Sequence, residues 1–388
     1  MKKSTRIIIG IVLAVLLLPL WMWLAWLATP KKKLVVAIID KTVLTQKGQE
    51  HVSFTWLLNH QRYTKTSADL YKTDNDYFGF FPFQDEKFRI KGLERFSPDM
   101  IEKLSNDADM VYFTDTYGMY KNEWYTKKKE VEYGKIYGGM SEQDIDLLRK
   151  MKAKHKLIIA EFNTIGSPTT EQVRTDFQNL FGLKWTGWIG RYFPSLDTSV
   201  NFDLPKWLIE NYKKNHHGQW PFQHAGIAFI SNADQVVILE EGKHLTDALP
   251  FIKTSAEMQK QYGLPETGRY SFWFDIMQTD PAINKTIAEF SLAVSPEGEK
   301  ELKRNNIPTK FPAVLKSVHA ADPFYYFSGD FCDNPISIYS SYFKGIRYFK
   351  NFFYNSVDLT DRRQFFWDFY LPLMSQITDD YYQGLKKN

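Results

Sequence analysis

The chain has 388 residues, more than one compact core usually serves, so one large unit with a smaller one beside it is expected. A formal charge of +4 is small for that length, and with no basic groove or recognition motif it gives no case for a nucleic-acid partner. A single cysteine, Cys332, rules out an intramolecular disulfide and a cysteine-rich metal site, and nothing implies a cofactor or a bound metal.

Residues 7–29 carry no charge and lie between Lys2, Lys3 and Arg6 on one side and Lys31, Lys32 and Lys33 on the other. As a helix they reach roughly 34 Å, enough for a bilayer core of about 30 Å. Trp21, Trp23 and Trp26 gather toward the far end, where indoles favour a membrane interface. The run is too long and bulky for a cleaved signal peptide, and Pro30 spoils any small-x-small exit. The expectation is an uncleaved signal anchor (residues 1–33), with a transmembrane helix held in the lipid bilayer. The protein would then be single-pass in the cell membrane, with residues 34–388 extracytoplasmic.

Leu34–Asp40 is an aliphatic run ending in an acid and reads as a buried parallel strand. A helix follows over 49–61, and 72–92 reads as irregular and aromatic. Ser97 and Pro98 open the next helix as cap and first-turn proline. Ala108–Asp115 and Lys156–Asn163 repeat the strand pattern, and Ser141 caps a helix between them that runs to about 155. Ser167-Pro168-Thr169-Thr170 opens a further helix through 181. Aliphatic strands alternating with helices imply α/β architecture, a parallel sheet with helices on both faces. Past Gly182 the pattern turns to α+β: an extended 184–193, a helix over 204–214, a hairpin over 224–241, and strands at 270–277, 287–294 and 323–331. A helix over 296–304 and a long terminal one over 360–385 complete it. A soft boundary near 245 divides an α/β unit (34–245) from a C-terminal α+β region (246–388).

In open parallel sheets, ligands bind beyond the carboxyl ends of the strands. Asp40, Asp115, and Glu161 with Asn163, stand at three such ends. Acids there can serve as acid and base or hold a polar ligand, and they can equally cap loop amides. The turn at 164–170 offers backbone donors at a helix start, without a P-loop lysine or a GxGxxG. Arg191, among two tryptophans and two glycines, could pair with Glu161 or grip a carboxylate. Asp330, Asp333 and the amide of Asn334 follow an aromatic strand, and Asp197 is a further candidate carboxylate. There is no GxSxG and no HExxH.

Asp115-Thr-Tyr-Gly118, Gly138-Gly139 ahead of the Ser141 helix, and Glu161-Phe-Asn-Thr with its helix start resemble class I glutamine amidotransferase-like domains over roughly residues 34–245. The resemblance implies a flavodoxin-like sheet and, normally, a cysteine nucleophile on a Gly-x-Cys-x-Gly elbow. No such elbow exists here. The expected function is therefore a non-catalytic ligand-binding or assembly domain of the cell envelope, with an envelope polysaccharide or a membrane protein complex as partner. The alternative is a carboxylate-dependent hydrolase acting on glycans. Carboxylates about 5–5.5 Å or about 6.5–9.5 Å apart across a cleft would mark the hydrolase.

Overall fold

The computed structural model describes residues 14–127 and 133–387. Strands β1 (Val36–Asp40), β2 (Phe78–Pro82), β3 (Phe88–Lys91), β4 (Met110–Asp115) and β5 (Leu157–Glu161) come from the first half of the chain. β6 (Leu183–Phe193), β7 (Gly226–Ser231) and β8 (Val236–Glu240) follow. The second half adds β9 (Leu245–Thr254), β10 (Thr267–Arg269), β11 (Trp273–Thr279), β12 (Asn284–Val294), β13 (Lys310–Ser317) and β14 (Phe324–Phe327). A ten-stranded sheet runs β10-β9-β12-β13-β14-β5-β4-β1-β2-β3, and a four-stranded sheet runs β8-β7-β6-β11. In the large sheet the pairs β2/β1, β1/β4, β4/β5 and β5/β14 are parallel, and those outside them are antiparallel.

The pleat divides the aliphatic runs between two cores. Val36, Ile38, Met110, Tyr112, Leu157 and Ile159 face one side, and Ala37, Ile39, Val111, Phe113, Ile158 and Ala160 the other. A strand with both faces covered must be apolar throughout, which is why these segments read as continuous hydrophobic runs. The second face is covered by helices over Pro98–Asp107, Glu142–Ala153 and Glu171–Phe181. Ser97, Ser141 and Thr170 cap these helices by accepting from Met100, Asp144 and Val173 amides, which satisfies donors the helix itself leaves unpaired. The first face is covered by the helix Val52–His60 and by the terminal helix Leu371–Leu385, which crosses back from the far end of the chain. There Tyr381 donates to the Asp109 carbonyl (2.6 Å), and Asp379 accepts from Tyr63 (2.7 Å) and Lys32 (2.9 Å).

Several expectations need correction. The sheet is mixed, not a flavodoxin-like parallel sheet followed by a separate α+β region, because strands on both sides of residue 245 join one ladder. The segment 72–92, read as irregular, supplies β2 and its antiparallel edge partner β3. The anchor is corrected too: among the described residues no helix is long and apolar enough to cross a membrane. Residues 7–13 of the expected span lie outside the described residues. The helix that is seen, α1 (Leu18–Ala28), has 11 residues, or roughly 16 Å, about half a bilayer core. Pro19 sits at its start, and Thr29, extended before Pro30, ends it. The single-pass transmembrane assignment and the membrane localisation built on it are therefore not retained.

Candidate functional site

From β1 the chain goes to β2 on one side and later to β4 on the other, so β1 and β4 flank a switch point, the place where open α/β sheets hold ligands beyond their strand ends. Asp40 and Asp115 sit there as register partners, both buried. Asp40 accepts from the Thr42 amide (3.2 Å) and the Glu50 amide (2.9 Å), and pairs with Nδ1 of buried His51 at 2.7 Å. Nε2 of His51 lies 3.0 Å from the Thr73 carbonyl, so both ring nitrogens are engaged. Burial raises the Asp40 carboxyl above its usual range against the pull of His51. Asp115 accepts from the Thr42 hydroxyl, the Tyr117 amide (2.6 Å) and the Asn163 amide group (3.3 Å). Burial nevertheless lifts it to about 7.

The resemblance glycines pack tightly beside these strand ends. Gly118 (φ +91°) meets Gly138 so closely that a Cβ on it would stand 2.4 Å from the Gly138 Cα and 2.1 Å from the Tyr137 carbonyl. No side chain fits there, and the left-handed φ adds strain for any other residue. The approach delivers the Gly139 carbonyl to Nζ of Lys41 (3.0 Å), a fully buried lysine that also pairs with Asp144 (2.6 Å) and Glu94. Burial alone would lower the Lys41 pKa, but the two carboxylates outweigh it and raise it.

Next along the sheet, Glu161 is fully buried and accepts from the Tyr112 hydroxyl (2.9 Å) and the Cys332 amide (3.3 Å). Burial, then the neighbouring Asp330, pushes its carboxyl well above the usual range. Burial also pushes the Cys332 thiol up, and Tyr370 donates to its sulfur at 3.2 Å. A neutral, enclosed thiol is no nucleophile.

The segment 328–334 is pinned from several sides. The Asp330 amide donates to the Trp273 carbonyl (3.1 Å), the Ser53 amide donates to the Cys332 carbonyl (3.2 Å), and Asn334 donates to the Ser53 hydroxyl (2.9 Å). Buried Asp330 and half-buried Asp333 are thereby brought to half-buried Glu50, which follows β1. Arg362 pairs with Asp333 at 2.9 Å and stacks on Phe272, its guanidinium 3.6 Å from the ring centre. Burial and then like charge, from Asp333 first, push Glu50 and Asp330 well above the usual carboxylate range. Beside Arg362 opens a cleft of about 680 Å³ whose wall includes Arg269, Tyr270, Ser271 and Arg347.

Among the expected site residues, Asp115, Glu161, Asn163, Asp330 and Asp333 thus belong to one neighbourhood. Arg191 is not the partner of Glu161. Its guanidinium stacks over Phe193 (4.8 Å), Phe272 (5.2 Å) and Trp273 (5.3 Å), because β6 carries it onto the aromatic edge of the smaller sheet. Asp197 accepts from the Ser199 amide (2.8 Å) and hydroxyl (2.7 Å) and closes its own turn. The 164–170 turn is closed as well: the Thr169 amide donates to the Gly166 carbonyl (2.9 Å), and Thr170, the last residue of the expected helix opening, caps the helix. Sequence reading missed Lys41, Thr42, Glu50, His51 and Arg362. For Glu50 and His51 a signal exists, since they lie in the connection leaving β1 on the ligand side of the sheet. Nothing local marks Arg362.

No family model matches the chain, and no curated protein matches it. Among solved structures, it is similar to the carbohydrate deacetylase Agd3, with 9% identity and a TM-score of 0.33 over 77% of this chain and 30% of that one. It is similar at the same 9% and 0.33 to a protein from Bacteroides uniformis described as ThuA-like, over 78% of this chain and 83% of that one. The chain thus spans about a third of the length of the first. Both likenesses are distant.

Proposed function

We propose that this α/β protein binds a polyhydroxyl ligand of the oligosaccharide class in the cleft beside Arg362, without turning it over. The observation that carries the reading is the meeting of that cleft with the carboxylate group through the Arg362–Asp333 pair. Hydroxyl-rich ligands are held by charged hydrogen-bonding groups alternating with ring faces, and this wall presents the Arg269, Arg347 and Arg362 guanidinium groups, the Asp358 carboxylate, Tyr270 and Phe365. The inner acids argue for binding over catalysis, because Asp40, Asp115 and Glu161 are each held by two or more donors. The outer acids, Glu50, Asp330 and Asp333, bring oxygens within 4.8 Å of one another. They form a cluster of three, where glycosidases use a pair of carboxyl groups flanking the scissile bond. Hydrolysis remains the second reading on one ground, the Asp115 carboxyl at about 7, near the value a general acid–base needs.

Calorimetric titration with neutral, acidic and amino-bearing tetrasaccharides tests the proposal. One class should bind. Arg269→Ala and Arg347→Ala, at exposed positions on the cleft wall, should each weaken it about tenfold with the melting temperature unchanged. Absence of binding by all three classes at millimolar concentration defeats the reading. Release of reducing ends that Asp115→Asn abolishes would replace it with the hydrolase.

A further inference from the structure

The chain has no recognisable metal motif, yet its fold assembles one oxygen each from Glu50, Asp330 and Asp333 within 4.8 Å of one another. These residues come from two connections: one leaves β1, and the other follows β14 some 280 residues later in the chain. Three carboxylates held this close repel one another unless something positive or protic lies between them. A second observation says which. Asp330 is 6% exposed, and its Oδ1 has no hydrogen-bond partner among the described residues. A buried carboxylate oxygen without a donor is costly, and most buried polar atoms avoid that state.

We infer that Glu50, Asp330 and Asp333 form a binding site for one hard divalent cation of the magnesium, calcium and manganese class. The donor set is all oxygen and all carboxylate, which suits these ions and not soft or borderline ones. The charge also balances. Three carboxylates less the Arg362 guanidinium on Asp333 leave two negative charges for the ion to neutralise. Arg362 engages Oδ2 of Asp333, so one oxygen of that carboxylate stays available. The ligands are preorganised: Asp330 and Asp333 lie on the pinned segment, and the Glu50 backbone amide is fastened to Asp40. Glu50 and Asp333 are half-buried, which leaves the ion a path in and positions for water or a ligand hydroxyl on its open side.

The site goes beyond the ligand reading, since a cation needs no saccharide to bind. The full chain, stripped with a chelator and dialysed, should be titrated calorimetrically with Mn²⁺, Ca²⁺ and Mg²⁺ separately, with no saccharide present. The expected result is one ion per chain for at least one of them, and a rise in melting temperature when it is added. Asp330→Asn and Glu50→Gln should each weaken binding at least tenfold and remove that rise. Should Asp330→Asn fail to fold, Glu50→Gln at its half-exposed position decides alone. No saturable binding of any of the three ions, or binding that Glu50→Gln leaves intact, overturns the site. Cation binding without saccharide binding would sink only the proposed function, and the converse only the cation.

Discussion

At the end of β5, Glu161 has the Tyr112 hydroxyl on one oxygen and the Cys332 amide on the other, with no ion pair to either among the described residues. Burial and then the nearby Asp330 hold its carboxyl well above the usual range, which favours the neutral acid over the carboxylate. Glu161→Gln keeps both contacts if the amide oxygen accepts from the Cys332 amide and the amide nitrogen faces Tyr112, whose hydroxyl then accepts instead of donating. The substitution should therefore cost about 1 kcal/mol or less in denaturant unfolding, far from the roughly 3–5 kcal/mol of a broken buried ion pair. A loss on the larger scale would mean that Glu161 is ionised and paired. The position of this acid was legible in the sequence, because an acid ending an aliphatic run marks a strand end. Its partners were not, since Cys332 lies 171 residues away and reaches Glu161 only once β14 is in place.

Helix α1 shows how an element can be recognised and its role misread. Its composition is that of a lipid-facing segment, and Trp21 is 57% exposed. Trp26 is instead 5% exposed, and its indole donates to the Asn59 carbonyl at 3.0 Å. It also meets Tyr342 edge-on at 4.9 Å, and the Arg62 guanidinium lies over its ring at 4.8 Å. Arg62 in turn donates to carbonyls at the helix end, including those of Trp26 (3.1 Å) and Thr29 (2.8 Å). Periodicity could not reveal this, because the docking partners come from residues 59–62 and 342. Trp26→Ala should cost about 3–5 kcal/mol in chemical unfolding of the full chain, as for other large buried aromatics. A change under about 1 kcal/mol would show that the helix end does not dock.

For the molecule as a whole, the buried acids set the direction of its pH response. Asp115 is raised from 3.8 to about 7 and Asp275 from 3.8 to about 8, while Asp40, Glu50, Glu161 and Asp330 are also raised. Between the unfolded and folded values the native state holds more protons than the unfolded chain, so stability falls as pH rises. Each fully buried group contributes up to about 1.4 kcal/mol per pH unit within its window. Melting temperatures measured without divalent ions should be highest near pH 5 and decline steadily to pH 8. A rise across that interval would contradict the assigned protonation. At this scale the parallel core was legible, because strands covered on both faces must be aliphatic. Of the antiparallel additions β12 was legible as a strand, but β3, β9 and β13 were not, since they alternate polar and apolar residues or carry prolines, and find their partners only through long-range pairing. The seam between β5 and β14 has a further consequence, in the order of synthesis. β5 is complete at residue 161, but its outer neighbour begins at residue 324. A ribosome adding about 5–20 residues per second needs roughly 10–30 s to cover that stretch. Throughout it the Leu157–Glu161 edge, apolar on both faces and with its hydrogen-bonding groups unpaired, is open to strands of other nascent chains. Successful production of this protein therefore depends on how that interval is chaperoned, and slower elongation lengthens the exposure.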